Sequence, residues 1–492
     1  MASRARSKVG AGAGPLSESR LLSAIGADNT ASGSRESVPQ TNQLPRILVL
    51  VPHHPDRDPR IEWVTSICTQ VAQVDVLGVA EGVDEGTKGD YSGARVECVG
   101  LGRSAGRSAR AKALVTGALL RTGAQARHAK RAEGANSAGN APSFLAEIDD
   151  RIADMTHLVA TWGYHGMVWE ALYRAAKDRP APDLIVCHDL HALVPGVRLK
   201  KRFGSTLLYD SHEFWPDSDV GAGPLLRGAI TRLERRSIKA ADAVVTVSPQ
   251  LAVRLENLYG LSGVLSVPNA TPWRADQSPR VAGSPPRQVR FLFQGMAAPR
   301  RGLEELLIGW RRLRDPRGVL LLRSPSSPYF EKLIGDHQDL VNDGFLTILP
   351  PVDETQLVSA ISADVGVIPY PPISLSHAYA SPNKLSQFMH AGLAIMASDL
   401  EFVRQIIERY QCGAIYDSGN ADSVAAVARG FLNAPRGLRA MREHALHAAR
   451  TTFNWQTVSA PYREALVRLV SAGNVNQTDD RGRPLASVVP SR

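Results

Sequence analysis

The stretch SPNKLSQFMHAGLAIMAS, residues 381–398, decides the fold of this chain. Ser381-Pro382-Asn383 is turn chemistry, and Pro or Asn suits the start of a helix rather than its middle. Residues 384–391 read as a short helix that turns Leu385, Phe388 and Met389 inward. Gly392 stops it, because a helix end favours a residue that tolerates positive φ. Residues 393–397 then read as a short buried strand. A loop, a helix N-terminus and a strand in this order suit an anion. Free backbone N–H groups and the positive dipole end point outward, and Lys384 adds charge. The same pattern also describes an ordinary helix–strand unit of a parallel sheet.

Similar units lie on both sides. Downstream of a proline-rich stretch, strand-like runs appear at VRFLFQG (289–295), GVLLLRS (318–324), FLTILPPV (345–352), VGVIPYP (365–371) and GAIYD (413–417). Upstream they appear at ILVLV (47–51), VDVLGV (74–79), RVECVGL (95–101), DLIVCHD (183–189), STLLYDS (205–211), AVVTVS (243–248) and GVLSVPN (263–269). Helix-length intervals separate them, with helices expected at 143–155 and 168–177. Strands alternating with helices predict an α/β chain of two Rossmann-like, doubly wound parallel sheets facing a central cleft. The expected division is 44–271, a linker at 272–288 carrying Pro272, Pro279, Pro285 and Pro286, and 289–452. Phe453-Asn454-Trp455 precedes a last amphipathic helix, with 453–471 returning towards the first sheet and 472–492 a flexible tail. Residues 1–43, rich in Ser, Ala, Gly and Arg without a period, are expected to be disordered. Ligands of such sheets bind at the carboxyl ends of strands, so the crevice between the halves is the expected site.

Composition bounds the function. The chain has 492 residues, 43% hydrophobic and 21% charged, as in a soluble globular protein, and four scattered cysteines without a CxxC pair. No apolar run reaches the roughly 18 residues of a membrane span, and no apolar signal segment follows the basic N-terminus. A reduced, cytoplasmic setting is expected. The net charge of +9 raises nucleic acid as a partner, but the excess is local. Residues 101–132 carry Arg103, Arg107, Arg110, Lys112, Arg121, Arg127, Lys130 and Arg131 and no acid. Leu114, Val115, Leu119 and Leu120 accompany them, while aromatics for base stacking are missing. The segment 101–131 therefore suits either an anionic membrane surface or a solvated loop, and no nucleic acid is expected.

Polar residues gather at strand ends. Asp210, Ser211, His212 and Glu213 end one, His188 and Asp189 another, and Asn269 follows a third. Gly295 ends the first strand of the second half, where a missing Cβ lets a ligand approach the backbone. Arg300 and Arg301 follow, and a guanidinium there can clamp phosphate.

Taken together, LLYDSHEFWPDS, ERRSIKAADAVVTVSPQLAVRLENLYG, VPNATPW, FQGMAAPRRGLEELL and SPNKLSQFMHAGLAIMAS resemble the retaining GT-B glycosyltransferases of the family 4 type, over roughly residues 46–470. The resemblance implies a nucleotide-sugar donor held by the second half and an acceptor received by the first; a glycan or polyprenyl-linked acceptor at a membrane face would account for the basic segment. No DxD carboxylate motif appears where a metal-bound diphosphate would need one, so no metal is expected, and no tightly bound cofactor. By position the resemblance implies that Arg301 grips the donor diphosphate, that Lys384 and the neighbouring backbone meet the phosphates, and that His212 stands near the transferred sugar beside Asp210 and Glu213. These make His212, Arg301 and Lys384 the catalytic candidates. The donor candidates are Gly295, Arg300, Arg301, Pro382, Asn383, Lys384, Leu385 and Gln387, with Asp210, Glu213 and Asn269 as supporting cleft residues. Gln387 stands where the family usually carries a ribose-binding glutamate, Tyr379 where another glutamate is usual, and Met296 where a second basic residue is frequent. These departures keep open an inactive relative acting as a partner or scaffold, or another sugar enzyme such as a nucleotide-sugar epimerase on the same fold.

Overall fold

The computed structural model describes residues 44–80, 88–101, 144–218, 222–275, 288–353 and 356–476. Residues 44–492 form one unit. Its first sheet has eight strands: β1 (Arg46–Leu50), β2 (Gln73–Ala80), β3 (Lys88–Tyr91), β4 (Ala94–Gly100), β5 (Leu184–His188), β6 (Thr206–Ser211), β7 (Ala243–Thr246) and β8 (Leu265–Ser266), in the order β3-β4-β2-β1-β5-β6-β7-β8. All neighbours are parallel except β3, which pairs antiparallel with β4. The second sheet is wholly parallel: β9 (Val289–Gln294), β10 (Gly318–Arg323), β11 (Leu346–Leu349), β12 (Val365–Ile368), β13 (Ala394–Ser398) and β14 (Gly413–Tyr416), ordered β11-β10-β9-β12-β13-β14.

The apolar runs are continuous because both faces of each sheet are covered. In β1, Ile47 and Val49 enter one core while Leu48 and Leu50 enter another. In β13, Ala394 and Met396 pack on one side, Ile395 and Ala397 on the other. The helix of the opening stretch spans Asn383–His390, with Leu385, Phe388 and Met389 buried against β13 residues, and Gly392 takes φ +67°.

Several expectations are corrected. The helices expected at 143–155 and 168–177 are one 33-residue helix, Phe144–Ala176, since no proline interrupts it. Strand β3 was not foreseen, and the strand expected at 263–269 shrinks to two residues, because Pro268 has no N–H for a ladder. The returning segment is a short turn of helix, Trp455–Val458, followed by Ala460–Asn476, so helix continues past Ala472 into the expected tail. Its side chains Tyr462, Leu466 and Leu469 complete a core of the first sheet. Two hydrogen bonds anchor this return: Trp455 Nε1 donates to the Trp63 carbonyl at 2.9 Å and Thr206 Oγ1 to the Leu469 carbonyl at 3.0 Å. Residues 1–43, the basic stretch from 102 to 131, most of the proline-rich linker and the tail beyond Asn476 lie outside the described residues. Among those described, no helix is long and apolar enough to cross a membrane, and all four cysteines are buried and free.

Candidate active site

The carboxyl ends of the two sheets face a cleft of about 640 Å³. From the second sheet, β9 ends in Gln294 and Gly295, β12 leads into Tyr370, and the loop before helix Asn383–His390 brings Ser381, Pro382 and Asn383 to the cleft wall. Lys384 and Gln387, one helical turn apart, face it too, while Leu385 points into the core. Lys384 is only 6% exposed, and its Nζ has no hydrogen-bond partner; it stands 4.4 Å above the rings of Phe293 and Tyr370. Burial lowers its pKa, against the opposing pull of the Tyr370 hydroxyl. A Cβ on Gly295 would come 3.3 Å from this Nζ, so the glycine leaves the approach to the ammonium open. Arg301 Nη1 donates to the Tyr370 hydroxyl at 3.3 Å. Although burial pushes the Tyr370 phenol up, Lys384 and Arg301 outweigh it and leave its pKa lowered.

The first sheet supplies a network of charges. His212, directly after β6, has Nδ1 3.0 Å from Asp58 and 3.7 Å from Asp189; Nε2 lies 3.1 Å from His188 Nδ1 and 3.6 Å from Asp210. Burial opposes its charge, but Asp189, Asp210 and Asp58 prevail and raise its pKa well above that of a free histidine. His188 is held neutral, its pKa lowered to about 3, mainly by burial. Both His212 N–H groups are thus engaged inside the protein, one donating to Asp58 and the other to His188. The carboxylates around His212 favour its imidazolium form. Behind it, Arg60 donates Nε and Nη2 to the two oxygens of Asp210 at 3.0 and 2.9 Å, with both side chains fully buried. Arg60 Nη1 also donates to Asn269 Oδ1 at 3.0 Å, and Asn269 in turn donates Nδ2 to the Ser381 carbonyl at 2.9 Å. This relay ties the two halves together beside the cleft.

Of the residues named from the sequence, His212, Glu213, Asn269, Gly295, Arg301, Pro382, Asn383, Lys384 and Gln387 line the cleft. Three do not. Asp210 is buried behind His212 on Arg60, since a carboxylate with a bidentate arginine needs no solvent. Leu385 is core, on the opposite side of the helix from the cleft. Arg300 takes φ +64° and lines a separate depression with Glu304, Glu305 and Asp417, because the chain turns sharply there before helix Leu303–Leu313. The cleft also contains Asp58, Asp189 and Tyr370, which were not named as site residues. Asp58 caps helix Pro59–Cys68 by accepting from the Arg60 N–H at 3.0 Å, a signal visible as Asp before Pro. Asp189 carries φ +65°, which no sequence pattern announces for an aspartate at a strand end.

His188, Asp210 and His212 place ligand atoms within 4.8 Å of one another, a candidate metal set. Its chemistry does not fit a cation: Arg60 already occupies both Asp210 oxygens and His212 is itself positive.

The two histidines give stability opposite pH slopes. His212 binds a proton more tightly folded than unfolded, so its contribution is complete below about pH 6.5 and is lost as pH rises through its raised pKa. His188 stays neutral where an unfolded histidine charges, so it costs stability as pH falls from about 6.5 to about 3. Thermal melting of wild type and His212→Gln from pH 6 to 10 should show the difference in Tm shrinking with rising pH. A difference independent of pH would remove the imidazolium assignment.

Residues 68–270 match the model of the glycosyl transferase 4-like domain. Comparison with curated proteins gives no match. Among solved structures, sucrose-phosphate synthase from Thermosynechococcus elongatus is similar at 16% identity, with 87% of this chain and 100% of that chain covered and a TM-score of 0.62. The α,α-trehalose 6-phosphate synthase of Burkholderia multivorans has 12% identity, coverage of 89% and 99%, and a TM-score of 0.58. Anabaena HepE, solved in complex with UDP, has 13% identity, coverage of 86% and 100%, and a TM-score of 0.54. Over residues 68–270 the chain is similar to a glycosyl transferase 4-like domain, and its two α/β sheets facing one cleft have the GT-B fold.

Proposed function

We propose that this protein transfers a sugar from a nucleotide-sugar donor to a hydroxyl of a glycan or lipid-linked acceptor, with retention at the anomeric carbon and without a metal ion. One observation carries the reading. A buried ammonium, Lys384, stands unpaired in the cleft beside the Arg301 guanidinium and the N-terminus of helix Asn383–His390. A buried unpaired charge is costly, and a diphosphate is the ligand that satisfies both cations and the free helix-end amides together. The structure of HepE with UDP gives the nucleotide class a precedent on the same fold.

In the reaction the bond between the anomeric carbon and the donor phosphate oxygen breaks, and its electron pair stays on that oxygen. Arg301 and Lys384 stabilise the developing negative charge, work that a divalent ion does elsewhere. The acceptor oxygen bonds to the anomeric carbon from the same face, and its proton passes to the departing phosphate oxygen. His212 stabilises by charge and holds Asp58 and Asp189 in place. Gln387 lies further along the same helix face, where its amide oxygen is 3.5 Å from Gln294 Nε2; we assign it to the nucleoside end of the donor.

A thermal-shift screen of UDP-, GDP- and dTDP-sugars tests the reading, because a ligand of the folded state raises Tm according to its affinity. At least one nucleotide sugar is expected to stabilise the protein, and no shift with any would count against it. We further propose that the protein works in polysaccharide assembly at the cytoplasmic face of a membrane, through the basic segment 101–131. Neutralising Arg103, Arg107 and Arg110 together should then release it from anionic vesicles; unchanged sedimentation would remove the membrane contact.

A further inference from the structure

The turn that sends Arg301 into the cleft sends Arg300 into a second depression of about 630 Å³, which shares no lining residue with the cleft. Three segments at the carboxyl edge of the second sheet wall it: residues 300–305 after β9, 371–373 after β12 and 417–419 after β14. The first two are packed together at Gly302, where φ is +76° and a Cβ would overlap the Pro369 carbonyl. Arg300 itself takes φ +64°, a conformation costly for an arginine.

The charges of this depression are not paired with one another. Arg300 and Glu305 are half-buried, and neither makes a hydrogen bond or ion pair among the described residues. Asp417 accepts the Gly419 N–H on one oxygen at 3.1 Å and keeps the other. Glu304 alone is engaged, accepting from the Tyr329 hydroxyl. Tyr416, next to Asp417 in the chain, is 3% exposed and its buried hydroxyl also has no partner; burial, and after it the charge of Glu305, raises its pKa. Pro371, Pro372 and Ile373 supply an apolar face, with Ile373 42% exposed.

Charges of both signs that share a depression without pairing fit a ligand that carries both signs itself. A guanidinium matches a carboxylate in a bidentate geometry, and free carboxylate oxygens accept from an ammonium. A purely anionic ligand would meet three carboxylates, and a purely cationic one would meet Arg300. We propose that this depression is a second ligand site, for a free α-amino acid with an apolar side chain. Its carboxylate lies on Arg300, its ammonium between Glu305 and Asp417, and its side chain against Pro371, Pro372 and Ile373. Both charged ends are required, so neither terminus of a peptide fills the site. Binding here makes and breaks no covalent bond and does not depend on the glycosyl-transfer reading.

Ligand-observed NMR titration of the full chain at pH 7 tests the site. Leucine, isoleucine, valine, methionine and phenylalanine are each compared with their carboxamide, which lacks the carboxylate, and their N-acetyl derivative, which lacks the ammonium. At least one free amino acid should bind saturably, and both of its derivatives at least about tenfold more weakly, because each loses a charge-assisted contact. Arg300→Gln should weaken the free amino acid to the level of its carboxamide. Glu305→Gln should weaken it at least about threefold, less because Asp417 remains. Lys384→Ala, altered on the cleft side, should bind the amino acid as wild type does. The two substitutions in the depression lie on a turn and on a helix, so each stays informative should the other disturb folding. No binding of any of the amino acids, equal binding of free and derivatised forms, unchanged affinity in both depression variants, or loss of binding in Lys384→Ala would overturn the proposal.

Discussion

Lys384→Ala is expected to lower turnover by about 10²–10³-fold, the usual effect of removing one preorganised donor to a developing oxyanion. The Lys384 ammonium lies over the Phe293 and Tyr370 rings and makes no hydrogen bond, and no ion pair with a carboxylate, among the described residues, so little beyond those ring contacts is given up when it is removed. Its removal therefore takes away a burial cost, and the variant should melt no lower than wild type. That combination, a large kinetic loss without a stability loss, separates a functional cation from a structural one. Arg301→Ala should behave alike in turnover, although it also gives up the contact to Tyr370. The double variant should lose less than the product of the two single losses, because both cations act on one diphosphate. Steady-state rates at saturating donor provide the check, and rates near wild type in both single variants would sink the site.

Asp210→Ala is expected to cost about 3–5 kcal/mol of stability, the range for breaking a buried ion pair from one side. Arg60 would keep its charge in a fully buried place and retain only the Val267 and Asn269 oxygens as partners. The consequence reaches the cleft, since Arg60 also positions Asn269, which is bonded to Ser381 across the two halves. Replacing both partners by apolar residues, Arg60→Met with Asp210→Leu, should cost less than the single change, because no unpaired charge remains. Urea unfolding of the single and double variants decides it. A loss below about 1 kcal/mol for Asp210→Ala would place the pair among weak, surface-like bridges.

Much of the fold was legible because parallel sheets covered on both faces write continuous apolar runs. RILVL, LIVCH and AIMAS each bury alternate residues in two cores. The ends of those runs carried the polar residues, so His212, Glu213, Gly295 and Lys384 were found by position. What stayed hidden depends on contacts between distant parts of the chain. Arg60 and Asp210 are 150 residues apart, and no local pattern reveals that they cancel. The surroundings of His212 were hidden for the same reason: its neighbours Asp58 and Asp189 come from other parts of the chain. Arg300 and Arg301 look alike in sequence, but the positive φ of Arg300 sends the two side chains to different depressions. Leu385 was included through its backbone neighbours, while helical periodicity assigns its side chain to the core.

The central claim is that two cations and a helix end hold a diphosphate in this cleft unaided by a metal. Isothermal titration of the selected nucleoside diphosphate into the protein, in the presence of a chelator, tests it most directly. Binding by the wild type in chelator is expected, and at least tenfold weaker binding by Lys384→Ala and by Arg301→Ala. Equal affinity in the variants, or binding that appears only when a divalent ion is restored, would contradict it.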